Sequence, residues 1–125
     1  MSNPAHITLT VTAVPHLARL VRMTAASMAM LSNMSVERVE DIRMAAEEAF
    51  IYACSTEPGA ELSIAVDADA EHVSMAFQLG DVAFPEPSED DPTSAYADLI
   101  LASVCDTYEK HEGPATLLLD MKADV

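Results

Sequence analysis

The sequence predicts an α/β (α+β) fold, a two-layer sandwich with a mixed, mostly antiparallel sheet and helices on one face. Three observations carry that prediction. Residues 6–14 alternate apolar side chains with threonine at a period of two, the signature of a half-buried strand rich in β-formers. Val36, Val39, Ile42, Ala46, Ala49 and Phe50 recur at three-and-four spacing, one face of a helix. The elements then follow in the order strand, helix, helix, strand, strand, helix, strand, which puts strands in one layer and helices in the other. The chain of 125 residues is long enough for one core without staples, and no repeat or composition break divides residues 1–125, so a single domain is expected.

After the first strand, Pro15 suits a first helical position. Leu17, Leu20, Val21, Met28 and Leu31 then form an apolar stripe, predicting a helix to about residue 31. Ser32 and Asn33 break it. Ser35, ahead of the acidic Glu37 and of Arg38, predicts the cap of a second helix running to about residue 54. Pro58-Gly59 marks a turn. Residues 61–68 and 72–79 read as two strands of an antiparallel hairpin, joined by Asp69-Ala70-Glu71. Residues 85–94 are acidic and proline-rich, the composition of an exposed loop. Ser94 is placed to cap a third helix over residues 95–108, and Gly113-Pro114 turns the chain into a last strand over residues 115–121.

Charge narrows the partners. The chain has 21 acidic residues against 6 basic ones, a net charge of −15. Nucleic-acid affinity rests on Lys and Arg contacts to phosphate, so direct DNA or RNA binding is not expected, nor is docking on an anionic membrane. A basic protein partner fits this charge, which also serves solubility alone. No apolar run reaches the ~20 residues of a membrane helix, no secretory signal is evident, and a cytoplasmic location is expected. Cys54 and Cys105 lack the close spacing of zinc or redox sites and are expected as buried thiols. His6, His16, His72 and His111 show no ligand spacing, so no metal site is expected. The methionines, Met23, Met28, Met30, Met34, Met44, Met75 and Met121 among them, fall mostly on apolar faces and are expected to pack the core.

The strongest functional signal is Asp41-Ile42-Arg43-Met44-Ala45-Ala46-Glu47-Glu48-Ala49-Phe50-Ile51-Tyr52-Ala53. It resembles the first ATP-binding box of the bacterial anti-sigma-factor serine kinases, in the GHKL (histidine-kinase-like) ATPase superfamily. There the helix reads Asp-Ile-basic-apolar-Ala-apolar-x-Glu-Ala-x-x-Asn-Ala. In that register Glu48 falls on the glutamate that acts as catalytic base, and Tyr52 on the asparagine that binds magnesium. Other stretches resemble the family by position and hydrophobic pattern. Pro15 to Arg19 lies where the family bears an arginine used on its protein partners. Leu79-Gly80-Asp81-Val82-Ala83-Phe84 stands for Asp-x-Gly-x-Gly-apolar. Ala95-Tyr96-Ala97-Asp98-Leu99-Ile100, in a helix reaching Asp106, stands for Gly-x-Gly-apolar, and residues 113–122 resemble the closing Gly-Thr-x-apolar strand. The resemblance covers nearly the whole chain and implies the histidine-kinase-like (Bergerat) fold.

It also implies what has been lost. Magnesium needs hard oxygen ligands, and Tyr52 offers no amide oxygen. The aspartate that recognises the adenine amino group is replaced by Leu79, with no polar atom; Asp81 lies two residues further on and substitutes only through a register shift. The phosphate-side glycines, which allow close backbone approach, are replaced by Ala83, Ala95 and Ala97. The lid region carries Glu86, Glu89, Asp90 and Asp91 without Lys or Arg, and repulsion of a triphosphate there is on the order of a few kcal/mol. Glu48 is then either a retained general base, or an exposed helix carboxylate or a structural one beside Tyr52, with Glu47 facing solvent. Arg19 and Arg22, three apart on one helix, are either a partner anchor or an ordinary solvated pair.

The expectation is therefore a pseudokinase-like anti-sigma-factor regulator of bacterial transcription that acts by protein binding. Its partners are a sigma factor, an antagonist protein, or both, and the family implies a homodimer. No cofactor is expected. One alternative is an active serine/threonine kinase using Glu48 with ATP and magnesium on an antagonist; another is a scaffold that pairs with an active paralogue.

Overall fold

Strand β1 (Ala5–Thr12) opens the chain, and its threonines 8, 10 and 12 point to solvent while Val11 is buried. A computed structural model describes residues 4–84 and 93–125. A 3-10 turn, Pro15–Leu17, leads into helix α1 (Ala18–Ala29), which buries Ala18, Val21, Ala25, Met28 and Ala29. Helix α2 (Val36–Thr56) follows, with Ser35 Oγ accepting from the Arg38 backbone N–H at 3.1 Å as the sequence predicts. Loss of such a cap costs about 1 kcal/mol. The turn at Pro58-Gly59 uses a positive φ at Gly59 (78°), a conformation that costs glycine nothing.

Strands β2 (Glu61–Ala68) and β3 (His72–Gly80) form the expected antiparallel hairpin. Asp69 Oδ1 accepts from the backbone N–H groups of Glu71 and His72 (both 2.8 Å), an Asx turn that holds the link and keeps this carboxyl below its ordinary pKa. Helix α3 (Thr93–Val104), strand β4 (Thr107–His111) and strand β5 (Ala115–Lys122) complete the chain. The sheet runs β1-β2-β3-β5-β4 with every neighbouring pair antiparallel. Its inner face buries Leu62, Ile64, Val66, Val73, Phe77, Leu117 and Met121 beneath the helices; Thr8, Thr10 and Gln78 of the outer face are exposed.

Three expectations are corrected. The sheet is wholly antiparallel rather than mixed. The third helix ends at Val104 instead of residue 108, and residues 107–111 form a strand the sequence reading omitted. Ser94 lies inside α3, 5 % exposed, and is not its cap. The early stop of α3 has a physical cause. Arg38 Nη1 donates to the carbonyl of Val104 (3.2 Å) and Nε to that of Lys122 (2.9 Å), while Nη2 donates to Asp106. Asp106 also accepts from the Lys122 backbone N–H at 2.7 Å, so one guanidinium fastens the start of α2 to the ends of α3 and β5. The proposed loop over residues 85–94 lies outside the described residues for 85–92. Its last two residues belong to α3.

The methionines divide. Met28, Met75 and Met121 are core residues (7 %, 2 % and 0 % exposed), but Met23, Met30 and Met44 are exposed, contrary to the packing expectation. Both thiols are buried, and burial pushes Cys105 up to about 12 against the pull of Arg38. No helix among the described residues is long and apolar enough to cross a membrane.

Candidate functional site

Helix α2 sets Glu48 and Tyr52 one turn apart, and Tyr52 is turned into the space between α2, the end of β3 and β4. Tyr52 is fully buried. Its ring meets Phe84 edge to face, with centroids 6.1 Å apart and planes inclined 64°, a favoured aromatic geometry. Phe84 reaches that position because Gly80 adopts a positive φ (90°) where β3 ends and the chain turns away.

Strand β4 closes the other side. Pairing of Tyr108 with Leu119 and of Lys110 with Leu117 places both side chains on the helix-facing side of the sheet. Lys110 Nζ stands 5.4 Å from the centroid of Tyr52 and 5.4 Å from that of Phe84, within cation–π range of each. It donates to Tyr52 Oη (3.3 Å) and to Asp98 Oδ2 (2.9 Å), and Tyr108 Oη donates to Asp98 Oδ1 at 2.6 Å. Burial alone lowers the pKa of Lys110, but the bonds to Asp98 and Tyr52 outweigh it and the group is raised. Tyr108 is held protonated, first by burial and then by its bond to Asp98. Five side chains from four segments thus fill one space.

The remaining sequence-derived positions sort around this plug. Leu79 and Ala97 are buried, both 2 % exposed, and Asp81, Ala83 and Ala95 are exposed. Asp81 is thus on the surface beyond Gly80 and does not substitute for Leu79. Glu48 is half-buried, and desolvation, with a smaller contribution from the charge of Glu47, raises its carboxyl above the ordinary value.

Glu47 is corrected from a purely solvent-facing residue: Arg22 Nη1 donates to its Oε1 at 3.1 Å, bridging α1 and α2. Arg22 is therefore a half-buried inter-helix tie, whereas Arg19 is exposed. Along α1, the turn after it and α2, Leu20, Met23, Met30, Leu31, Val36 and Met44 are all at least 42 % exposed. A groove of about 340 Å³ runs between the end of α1 and the start of α2, lined by Met30, Met34, Val36 and Val39.

Lys110 and Tyr108 were not foreseen as site residues, although Thr107-Tyr108-Glu109-Lys110 alternates at a period of two. Phe84 and Asp98 stood inside the quoted motifs with no role given to them.

The fold and this site define a class in coarse terms: an α+β protein with a five-stranded antiparallel sheet backed by helices and an aromatic plug between helix and sheet. No protein-family model matches the chain, and no curated protein matches it. Among the described residues, no cluster of His, Cys, Asp and Glu has the arrangement to hold a metal ion.

Proposed function

We propose that this chain is an anti-sigma-factor-like regulator on a histidine-kinase-like ATPase fold, acting by protein binding, with nucleotide binding and serine kinase activity lost. One observation carries the reading. Tyr52, at the position that the resemblance gives to the magnesium ligand, is fully buried and packed under Phe84 and Lys110. If the resemblance holds, a phenol ring and an ammonium group stand where it puts the nucleotide–magnesium complex, and neither supplies a hard, anionic oxygen to the ion. Leu79 adds no polar atom for adenine.

The binding half rests on the helical surface. Exposed Leu20 and Met23 in the same helix as Arg19, with Met30 at its far end, offer apolar area to desolvate and an arginine to orient a partner. Net charge of −15 favours a basic partner, a sigma factor or an antagonist protein, and the resemblance carries a homodimer with it.

One observation favours the rival reading of an active kinase. The carboxyl of Glu48 is raised by desolvation and by Glu47, the direction in which a general base is tuned. The same direction follows from half-burial beside Glu47 alone.

Titration calorimetry with ATP, with and without magnesium, tests the proposal. The expected result is no heat of binding at millimolar ATP. Micromolar, magnesium-dependent binding overturns it and restores Glu48 as base.

A further inference from the structure

The corner where α1 gives way to α2 is built as a groove. Met34 and Val39 are half-buried in it and pack against the core, while Met30 and Val36 also line it and stand 78 % and 79 % exposed. Val36 is the first residue of α2, where a solvated helix ordinarily carries a polar or acidic side chain, and Met30 caps the end of α1. Ser32 lines the same space with its hydroxyl buried, so the exposed polar group there is the Glu40 carboxylate. The volume of about 340 Å³ lies at the low end of the range for ligand clefts, about 300–1,000 Å³.

The loop between the two helices is fastened before anything binds. Asn33 donates its N–H to the carbonyl of Ala70 (3.0 Å), and its own carbonyl accepts from Val125 (3.2 Å). The Ser35 N–H donates to Asp124 Oδ1 at 2.8 Å. These bonds tie the loop to the β2–β3 link and to the residues after β5, so an occupant meets a preformed surface and is spared the cost of ordering it.

Charge selects the occupant. Glu40 lines the groove, Glu37 is its neighbour on the same helix surface, and Asp124 meets Ser35 between Met34 and Val36. Against these stand Arg43, 2.7 Å from Glu40, and the partial positive charge of about half a unit at the α2 N-terminus, so the balance stays negative. Arg38 is taken up by Asp41 and Asp106, and Arg19 and Arg22 lie about 12 Å or more from Met30 along α1. A second copy of this chain brings the same carboxylates and a net charge of −15, and is repelled; a basic segment is attracted. A groove between helix ends takes its anchors from one face of an α-helix, at three-and-four spacing, and methionine walls adapt to them.

We propose that this groove seats the apolar face of a basic amphipathic helix from a partner protein, with lysine or arginine side chains meeting Glu37 and Glu40 at its rim. The inference rests on the protein-binding reading above and adds a contact at the end of α1 opposite Arg19.

The test titrates the full chain, by fluorescence anisotropy, into a labelled synthetic peptide of about 18 residues with leucines on one face and lysines on the other. A peptide with glutamate in place of lysine is the counter-probe. Saturable binding of the lysine peptide is expected, and none of the glutamate peptide. Val36→Asp puts a carboxylate into the groove at a first helical position, where an acid is tolerated, and should weaken binding at least about tenfold. Attraction to net charge alone predicts the opposite, because that variant is more acidic than the wild type. Leu99→Asp makes the same kind of change at a 69 % exposed residue of α3 and should stay within about twofold of the wild type. Met30→Ser, an uncharged change in the groove, should also weaken binding and decides alone should Val36→Asp fail to fold.

No binding of the lysine peptide, equal binding of both peptides, or groove variants that bind like the wild type overturns the inference. ATP calorimetry on the same preparation separates that failure from failure of the wider reading. Absence of both groove binding and ATP heat overturns the groove alone. Groove binding together with micromolar, magnesium-dependent ATP binding supports the groove and overturns the proposed loss of nucleotide binding.

Discussion

The space between α2, α3 and β4 and the surface formed by α1, the start of α2 and β1 have been treated in opposite ways by one sequence. The first is sealed: Tyr52 is fully buried, and Phe84, Lys110, Tyr108 and Asp98 satisfy one another around it. The second is left open, with Met30 and Val36 exposed by 78 % and 79 % and, among the described residues, no strand paired on the outer side of β1. In a small domain, exposed apolar side chains and an uncharged edge are a solubility liability unless something covers them. The contrast teaches that one sequence satisfies its side chains internally in the first region and, among the described residues, leaves apolar and backbone groups free for contact in the second.

The largest effect should come from breaking the seal. Tyr52→Ala removes a fully buried ring and leaves Phe84 and Lys110 over a void, a loss of about 3–5 kcal/mol by analogy with large aromatic truncations. A fall in Tm on the order of 10 °C or more is expected by differential scanning fluorimetry. Met30→Ala on the open surface should move Tm by no more than about 2 °C, since surface changes usually stay within about 0.5 kcal/mol. Tyr52→Asn supplies the amide of the resembling family, yet it should be destabilised like Tyr52→Ala and still show no ATP heat. Leu79, Ala83, Ala95 and Ala97 remain, and they lack the adenine acceptor and the freedom of glycine. Recovery of ATP binding by that single change would show the pocket to be closed by Tyr52 alone.

Next in size is the Arg38 clamp, which borders the sealed region. Its side chain is 14 % exposed and serves Asp106, Asp41 and two backbone carbonyls. Arg38→Ala leaves those acceptors without their donor, at a cost of about 2–3 kcal/mol. The measured Tm should drop by about 5–10 °C. A change under about 2 °C would show that water replaces the guanidinium and that α3 ends at Val104 for another reason.

The parts of this arrangement that depend on neighbours in sequence were legible in it. Alternating threonines mark β1, the 36–50 stripe marks α2, and Asp69 marks the hairpin link, because each is set by local periodicity or local hydrogen bonding. The parts that failed are non-local. Arg38 meets Asp106 across 68 residues, and that contact ends a helix whose apolar composition otherwise runs on. Strand β4 is short and charged because it is an edge, so its outward Glu109 and His111 mask the inward Tyr108 and Lys110. The motif register put Tyr52 in the pocket, but that Phe84 and Lys110 would meet on it depends on where β3 ends and how β4 pairs. Arg22 reads as a free surface charge until α1 and α2 are packed and Glu47 stands 3.1 Å away.

The smallest expected effect sharpens the comparison most finely, because Glu48 lies between the two regions in role. Desolvation and the Glu47 charge raise its folded-state pKa above the unfolded value. For a carboxyl, that sign means the folded chain holds the proton more tightly, so stability falls as pH rises from the unfolded to the folded pKa. The penalty is complete above the folded pKa and absent below the unfolded one. Glu48→Gln removes it, so the variant should be more stable than wild type at pH 7, by about 1–2 °C in Tm for a partly exposed group, and equal to it at pH 3. A structural carboxylate predicts that gain with no loss of partner binding. If Glu48→Gln instead leaves Tm unchanged at pH 7 and lowers it at pH 3, the neutral amide is making poorer contacts than the protonated acid. Glu48 would then be a group whose protonated form makes contacts the fold uses, rather than a carboxylate the fold merely tolerates.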